Sequence, residues 1–349
     1  MSSPVGLLAL ATARPPYDLP QDAVAQVARS LFAPQFPGYA RMAQVFRTAG
    51  VRTRQSVMPI EWYLEPRGWP ERTAAYLDAG VDLFSQAAEA ALTEAGLAGR
   101  DVDIIVTVSS TGIATPSLEA RAMGRLGFRS DALRVPVFGL GCAGGSTGLA
   151  LAARLARAEP GAVVLFVCVE ICSVAFRIDE PSKADIVATA LFGDGAAACV
   201  LRAGEGGFAA ADGAAEHTWP NTLDIMGWRV DPTGLGVIFA QAIPPFARRK
   251  LRPAMDAMLA GQGLSVADVD RFICHPGGIK VIEALEASLE LGQGALDHER
   301  EVLADHGNMS APTVLHVLDR ARRRGLPRRS VVTALGPGFT ASAVTLRAA

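Results

Sequence analysis

A nucleophile, a ring base and an amide donor stand out among the 349 residues of this chain: Cys142, His275 and Asn308. Cys142 follows an apolar run ending in Gly-Leu-Gly and precedes Ala-Gly-Gly-Ser-Thr-Gly and a helical stretch. Its sulfur is therefore expected at a strand-to-helix turn close to a helix N-terminus, where partial positive charge favours the nucleophilic thiolate. The neighbouring glycines would let a substrate carbonyl reach backbone N–H groups able to stabilise an oxyanion. His275 ends the run Arg-Phe-Ile-Cys-His and is followed by Pro-Gly-Gly, which stops a strand and aims the ring from its C-terminal edge into a cleft. Asn308, in GNMSAP, sits just ahead of a helix whose apolar Val314, Leu315, Leu318 and Ala321 recur at helical spacing. Each has a plainer reading, as a core thiol, a structural ring and a helix cap. Together they form a far more specific set than any one of them.

To bring these residues together the chain must fold in layers. Short apolar β-rich runs alternate with Ala-rich helical segments, the pattern of a layered α/β fold. Strands are expected at 103–109, 163–169, 195–202, 270–275, 330–335 and 342–346, and helices at 74–96, 117–126, 146–158, 279–291 and 311–324. The Gly/Ala-rich segment 203–222 lacks periodicity, and a boundary near 206 divides the chain into 1–206, carrying Cys142, and 207–349, carrying His275 and Asn308. A faint echo links the halves. LTEAGLAGRDVDIIVTVSS and MLAGQGLSVADVDRFICHP each read as helix, acid-bearing loop and buried strand, bridged by Leu-x-x-x-Asp-Val-Asp.

Composition narrows the function. With 33 basic and 35 acidic residues the net charge is −2, which argues against nucleic acid or an anionic membrane as the main partner. Half the residues are apolar and 19% charged, which excludes disorder. Residues 135–153 form 19 consecutive uncharged positions, near the length that spans a bilayer. Five glycines and Pro136 interrupt them, so a strand, a tight turn and a buried helix fit better than a membrane span. MSSPVGLLALATARPP lacks the basic start and long apolar core of a secretory signal, which points to the cytoplasm. Cysteines 142, 168, 172, 199 and 274 are odd in number, lie mostly in apolar runs and form no CxxC pair, as expected of reduced thiols. The five histidines are scattered without metal-ligand spacing, so no metal site is expected. Arg320, Arg322, Arg323, Arg324, Arg328 and Arg329 read as a solvated helix end complementing the dipole.

Two enzyme classes use Cys, His and Asn in this chain order. In papain-like proteases the His and Asn lie roughly 130–150 residues downstream of the Cys. His275 follows Cys142 by 133 residues, but the CGSCW-type context is missing. The other class fits motif by motif. GLGCAGG at 139–145, ALFGDGAAA at 190–198, HPGG at 275–278, GNMSAP at 307–312 and GPGFTA at 336–341 together resemble the type III polyketide synthases, the chalcone-synthase-like branch of the thiolase superfamily. The resemblance covers nearly the whole chain. Ketoacyl synthase III enzymes share the Cys, His and Asn but usually carry His-Gln-Ala-Asn where this chain has HPGG.

The resemblance implies an α/β fold, a thiolase-like five-layer αβαβα sandwich made of two similar halves. It implies a homodimer acting on acyl-CoA and malonyl-CoA, with no cofactor and no acyl-carrier arm. Cys142 would accept the starter acyl group, and His275 would keep its sulfur as thiolate. With Asn308, His275 would also hydrogen-bond the thioester carbonyl of malonyl-CoA, whose decarboxylation leaves an enolate. Phe192 matches a gatekeeper aromatic, and Val237 stands where plant enzymes carry a second gatekeeper Phe, which implies a wider entrance. Ser110, Cys172, Ala175 and Gly227 match pocket positions. Ala175 is smaller than the Thr of the plant pattern and leaves room for a longer chain, and Ser110 replaces the Cys of bacterial tetrahydroxynaphthalene synthases. Thr115, in TGIATP, matches a loop that crosses the dimer interface, with a Thr115–Pro116 bond that is cis in relatives. Ser110, Glu170 and Ser310 are candidates for a hydroxyl–carboxylate network that activates water, or for plain solvating and capping groups. Arg47, Arg52 and Arg54, in VFRTAGVRTR, are the candidates by position for the CoA phosphates. The small pocket residues and MGW at 226–228 look most like the alkylpyrone and alkylresorcinol synthases, primed by a medium- or long-chain fatty acyl-CoA. The alternatives are a single condensation on acyl carrier protein, and a non-catalytic thiolase-fold scaffold.

Overall fold

Val163–Ile171 is buried at every position, as a strand covered on both faces must be. This strand lies deep in a nine-stranded mixed sheet. The structure, a computed structural model, describes residues 4–178, 181–204 and 206–349. In chain order the strands are β1 (Val5–Ala13), β2 (Tyr17–Pro20), β3 (Thr53–Ser56), β4 (Ile104–Val108), β5 (Leu133–Val137), β6 (Val163–Ile171) and β7 (Asp194–Ala203). They continue with β8 (Ala209–Thr218), β9 (Met226–Asp231), β10 (Gly234–Phe239), β11 (Arg271–Cys274), β12 (Arg329–Gly336) and β13 (Thr340–Ala348). The helices are α1 (Gln21–Phe32), α2 (Tyr39–Met42), α3 (Val45–Thr48), α4 (Trp69–Glu94), α5 (Leu118–Leu126) and α6 (Gly144–Ala158). After these come α7 (Lys183–Leu191), α8 (Ile243–Ala260), α9 (Ile279–Leu289), α10 (Asp297–His306) and α11 (Pro312–Arg323).

The main sheet runs β11-β12-β13-β8-β1-β7-β6-β4-β5. One pattern occurs in it twice. β4 lies parallel to β6, which is followed by antiparallel β7 and β1; β11 lies parallel to β12, which is followed by antiparallel β13 and β8. The two sets of strands meet where Val5–Leu7 of β1 pair with Ala209–Ala211 of β8. Three helix layers complete the sandwich. α4 and α5 pack on the first set of strands, α8 and α9 on the second, and α6 and α11 lie between them in contact with both. This is the thiolase-like five-layer arrangement.

The Asp-Val-Asp echo has a physical cause in each half. Asp101 and Asp268 cap the turns after α4 and α8, accepting the N–H groups of Ala98 and Ser265 at 2.8 Å. Asp103 and Asp270 then accept the first N–H of the next parallel strand, from Val163 and Arg329, also at 2.8 Å. Each pair fixes where β4 or β11 begins and so where it ends, at Ser109 or at His275.

Several expectations need correction. Segment 203–222 contains β8, whose sequence AAADGAAEHT has little β propensity; the strand is imposed by pairing with β1 and β13 on its two sides. The uncharged run 135–153 is a strand, a turn and a helix as expected, and among the described residues no helix is long and apolar enough to cross a membrane. Its strand, however, is not buried. β5 forms the sheet edge, where Pro136 is tolerated, and Phe138 just beyond it is 61% exposed. Gly145 and Gly148 of GLGCAGGSTG are required by helix packing. A Cβ on Gly145 would lie 2.2 Å from Ala311 O, and one on Gly148 would lie 2.5 Å from the Phe166 ring.

Candidate active site

Cys142 sits in a single 3-10 turn, Gly141–Ala143, that feeds directly into α6. The turn is wedged from outside by the GPG loop. A Cβ on Gly141 would meet Pro337 at 2.8 Å and one on Gly336 would meet Ala143 at 2.5 Å, so this pair of glycines lets the loop close over the nucleophile. From beneath, the Ser110 hydroxyl accepts the N–H groups of Gly139 and Gly141, both at 3.2 Å. Ser110 is therefore a support of the nucleophile turn.

His275 extends β11 by one residue, its N–H bonded to Thr333 O at 2.9 Å, while the Glu299 carboxylate holds the preceding Cys274 N–H at 2.9 Å. Both ring nitrogens of His275 are buried and without a hydrogen-bond partner. Asn308 does not cap α11. Its Oδ1 accepts the Ser310 N–H at 2.8 Å and its Nδ2 makes one long bond, 3.4 Å, to Gly277 O. Cys142, His275 and Asn308 come from three separate elements and line one cavity, closed on its far side by Ile243, Val281 and Leu285.

Electrostatics here differ from the expected thiolate. Burial pushes the Cys142 thiol up to about 12, although hydrogen bonds from Ser310 and Asn308 pull it down. Burial likewise pushes the His275 imidazole down to about 3. Each group alone is neutral in so dry a pocket, because charging either one forfeits its hydration. Transfer of the sulfur proton to the ring makes two opposite charges at once, whose attraction is strongest in that same low-dielectric setting.

A second cavity also opens on Cys142. Cys172, Phe192, Gly227, Val237 and Ser310 line it, joined by Met226, Trp228 and Phe239, of which sequence reasoning singled out MGW but missed Phe239. The Phe239 ring meets Phe192 edge-on, 6.1 Å between centroids, and takes up part of the space left by the small Val237 side chain beside it. Its signal was the period of two along β10, which puts Val237 and Phe239 on one face. A third cavity continues from Cys172, Phe192 and Val237 to Ala175, and a fourth lies on the other side of Ala175 against Tyr76, Gly112 and Trp69.

The hydroxyl–carboxylate network is only partly as expected. Glu170 is fully buried, and one of its oxygens accepts the Ser110 N–H and the Thr111 hydroxyl, both at 2.9 Å. The other faces the Ser310 hydroxyl at 3.4 Å. Thr111, not Ser110, thus supplies the second hydroxyl. Burial raises the carboxyl of Glu170 to about 7 against the pull of these donors. Thr115 lies on an exposed loop and lines none of the four cavities described above, and the Thr115–Pro116 bond is cis.

The three arginines part company. Arg47 is exposed on α3, and Arg52 is exposed but paired with Asp305. Arg54 is 1% exposed and cannot meet a phosphate at a tunnel mouth. The C-terminal arginine cluster of α11 is largely neutralised by carboxylates: Arg320 and Arg324 bind Glu301, Arg322 binds Glu94, and Arg323 binds Asp319. Among the described residues no group of His, Cys, Asp and Glu is placed to hold a metal ion.

Residues 3–205 match the family model for chalcone and stilbene synthases, N-terminal domain, and residues 212–349 match that for the C-terminal domain. The chain belongs to this family. It is a type III polyketide synthase, an acyltransferase-class enzyme. It is 39% identical over 350 residues to a 1,3,6,8-tetrahydroxynaphthalene synthase of Streptomyces peucetius subsp. caesius, covering 97% of this chain and 92% of that one. A 3,5-dihydroxyphenylacetyl-CoA synthase of Streptomyces toyocaensis is 32% identical over 272 residues, covering 74% and 70%. Among solved structures, the tetrahydroxynaphthalene synthase of Streptomyces coelicolor A3(2) superposes with a TM-score of 0.93 at 28% identity, covering 98% of this synthase and 99% of that one. Because both halves match, the polyketide synthase reading replaces the protease and ketoacyl synthase III alternatives.

Proposed function

We propose that this synthase loads a medium- or long-chain acyl-CoA on Cys142, extends it with malonyl-CoA, and cyclises the product to an alkylpyrone or alkylresorcinol. The observation that carries the condensation step is the His275 ring, buried with both nitrogens free in the cavity it shares with Cys142 and the Asn308 amide. A buried ring without partners is costly unless something else fills the space, and a thioester oxygen supplies the missing acceptor. Proton transfer from Cys142 to His275 gives the thiolate, which attacks the starter carbonyl and expels CoA thiolate. In the next step malonyl-CoA loses carbon dioxide. The electron pair of the broken bond becomes an enolate whose oxygen is held by His275 and the Asn308 Nδ2–H group, donors fixed where charge develops. The enolate carbon then attacks the acyl carbonyl on Cys142 and the sulfur leaves as thiolate. CoA thioesters are the substrates throughout, and the scheme needs no prosthetic group.

Three small cavities that share lining residues, from Cys142 by way of Cys172, Phe192 and Val237 to Ala175, support the long starter, because they mark the line along which an alkyl chain anchored at Cys142 would run. Ala175→Phe is expected to block that path. The kcat/KM for dodecanoyl-CoA should fall at least about tenfold while that for butanoyl-CoA changes by less than about twofold. Mass spectrometry of the products checks this, and unchanged chain-length selectivity would remove the long-chain reading. The 39% identity to a tetrahydroxynaphthalene synthase favours a second reading, formation of that relative's product, which incubation with malonyl-CoA alone would reveal.

A homodimer fits the same surface that leaves Thr115 outside the pocket. Ile113, Leu133 and Phe138, 56%, 47% and 61% exposed, lie along the edge strand β5 and the loop after its neighbour β4. An unpaired edge with bare apolar side chains calls for a partner. Phe138→Asp is expected to shift the sedimenting species from dimer to monomer; a monomeric parent protein would contradict the assignment.

A further inference from the structure

Arg54 heads the fully buried side chains by size, and that side chain reaches from β3 to the C-terminal end of α7. Its Nη1 donates to Thr189 O at 2.6 Å and Phe192 O at 3.2 Å, and its Nη2 donates to Ala190 O at 3.1 Å. These are carbonyls that a helix end leaves without intrahelical partners, and their negative dipole end suits a cation. The one carbonyl of this turn that Arg54 does not take, Leu191 O, accepts the Asn308 N–H at 2.8 Å. Asn308 O in turn accepts the Gly193 N–H at 3.0 Å. The end of α7 therefore ties together the gate residue Phe192 and the amide donor Asn308, and Arg54 clamps that end, with Gln21 Nε2 sharing only Ala190 O at 3.1 Å. Packing leaves the three segments no slack. A Cβ on Gly193 would lie 3.1 Å from that of Arg54, and one on Gly307 would lie 2.7 Å from Leu191 O.

We propose that Arg54 is a positioning residue for the condensation, fixing Phe192 directly and Asn308 through the Leu191–Asn308–Gly193 backbone bonds, with no contact to CoA. The assignment rests on the reading of Asn308 as an enolate donor. The guanidinium stays charged at neutral pH although burial lowers it to about 9, with the Asp194 carboxylate pulling the other way. Lysine cannot replace it, because a point ammonium does not span three carbonyls.

The test compares decarboxylation of malonyl-CoA with that of the malonyl thioester of N-acetylcysteamine, which lacks the nucleotide and diphosphate. For Arg54→Met, kcat should fall about a hundredfold on both substrates, as for a donor moved by an ångström, with KM changing by less than about threefold on either. Millimolar guanidinium should restore part of that kcat, and ammonium should not. The far-ultraviolet circular dichroism spectrum and the sedimentation coefficient, neither of which depends on the enolate donors, should match those of the parent, which separates a displaced donor from a collapsed fold. Arg54→Lys carries the same measurements if Arg54→Met does not fold, with the same loss expected. A loss confined to the CoA substrate and to KM would make Arg54 a phosphate ligand and overturn the proposal, as would full activity in both variants. Absence of decarboxylation by the parent enzyme would overturn it at a different point, the reading of the site itself.

Discussion

Replacing His275 or Asn308 by Ala is expected to abolish malonyl-CoA decarboxylation, while Cys142→Ala leaves that half-reaction running and stops only chain extension. In the proposed scheme the two donors act on the enolate oxygen, and loss of one oxyanion donor typically costs about a hundredfold to a thousandfold in rate. In that scheme the sulfur has no part in breaking the malonyl carbon–carbon bond. Its removal also frees the cavity of a group that burial holds neutral, so the donors and their backbone supports stay in place: His275 on Thr333 O, and Asn308 on Leu191 O and the Ser310 N–H. Release of labelled carbon dioxide by the three variants, at equal concentration, is the measurement. Equal retention in all three would refute the assignment of roles. A deeper loss in Cys142→Ala than in the others would reassign the donors.

The second large effect is on stability. Gly145→Ala places a methyl 2.2 Å from Ala311 O and 2.7 Å from Val314 Cγ1, at the crossing of α6 and α11. The first of these atoms is backbone and cannot turn aside. About 3 kcal/mol of destabilisation is expected, in the upper range for an overpacked core. Gly124→Ala is the contrast. That glycine is exposed within α5 with nothing near its absent Cβ, so alanine should stabilise the helix by about 0.5–1 kcal/mol. Urea denaturation of both variants checks the pair. Equal midpoints would mean that the central helices are not in backbone contact.

How much of this the residues disclose depends on what holds each element in place. β4, β6, β7, β11, β12 and β13 are apolar runs that announce themselves, and the Asp-Val-Asp echo was legible because the same two carboxylates do the same two jobs in each half. β8 was not legible, because Ala, Gly and charged residues become a strand only when neighbours on both sides offer ladders. β1 was weighed as a signal sequence rather than as the strand that joins the halves. In the site, residues defined by position in a motif were easy to name. Those defined by the shape around them were not: Ser110 turns its hydroxyl to the nucleophile turn, Thr111 takes its expected place on Glu170, and Arg54 faces helix carbonyls. A charge in sequence says nothing of which way the side chain points, and three arginines within eight residues met three different environments.

The doubled strand pattern has a bearing on how such an enzyme can change. The turn that carries Cys142 precedes α6 in the first half, and Asn308 precedes α11 at the matching place in the second, where His275 also ends β11. In the proposed scheme covalent capture belongs to one copy of the pattern and carbanion generation to the other. Substitutions that retune the choice of starter can therefore fall on Cys172, Ala175 and Phe192 or on the β9–β10 hairpin, which stands outside the doubled pattern, while His275 and Asn308 continue to deliver the same two-carbon unit. A division of labour of this kind lets product range drift without the extension step being reinvented.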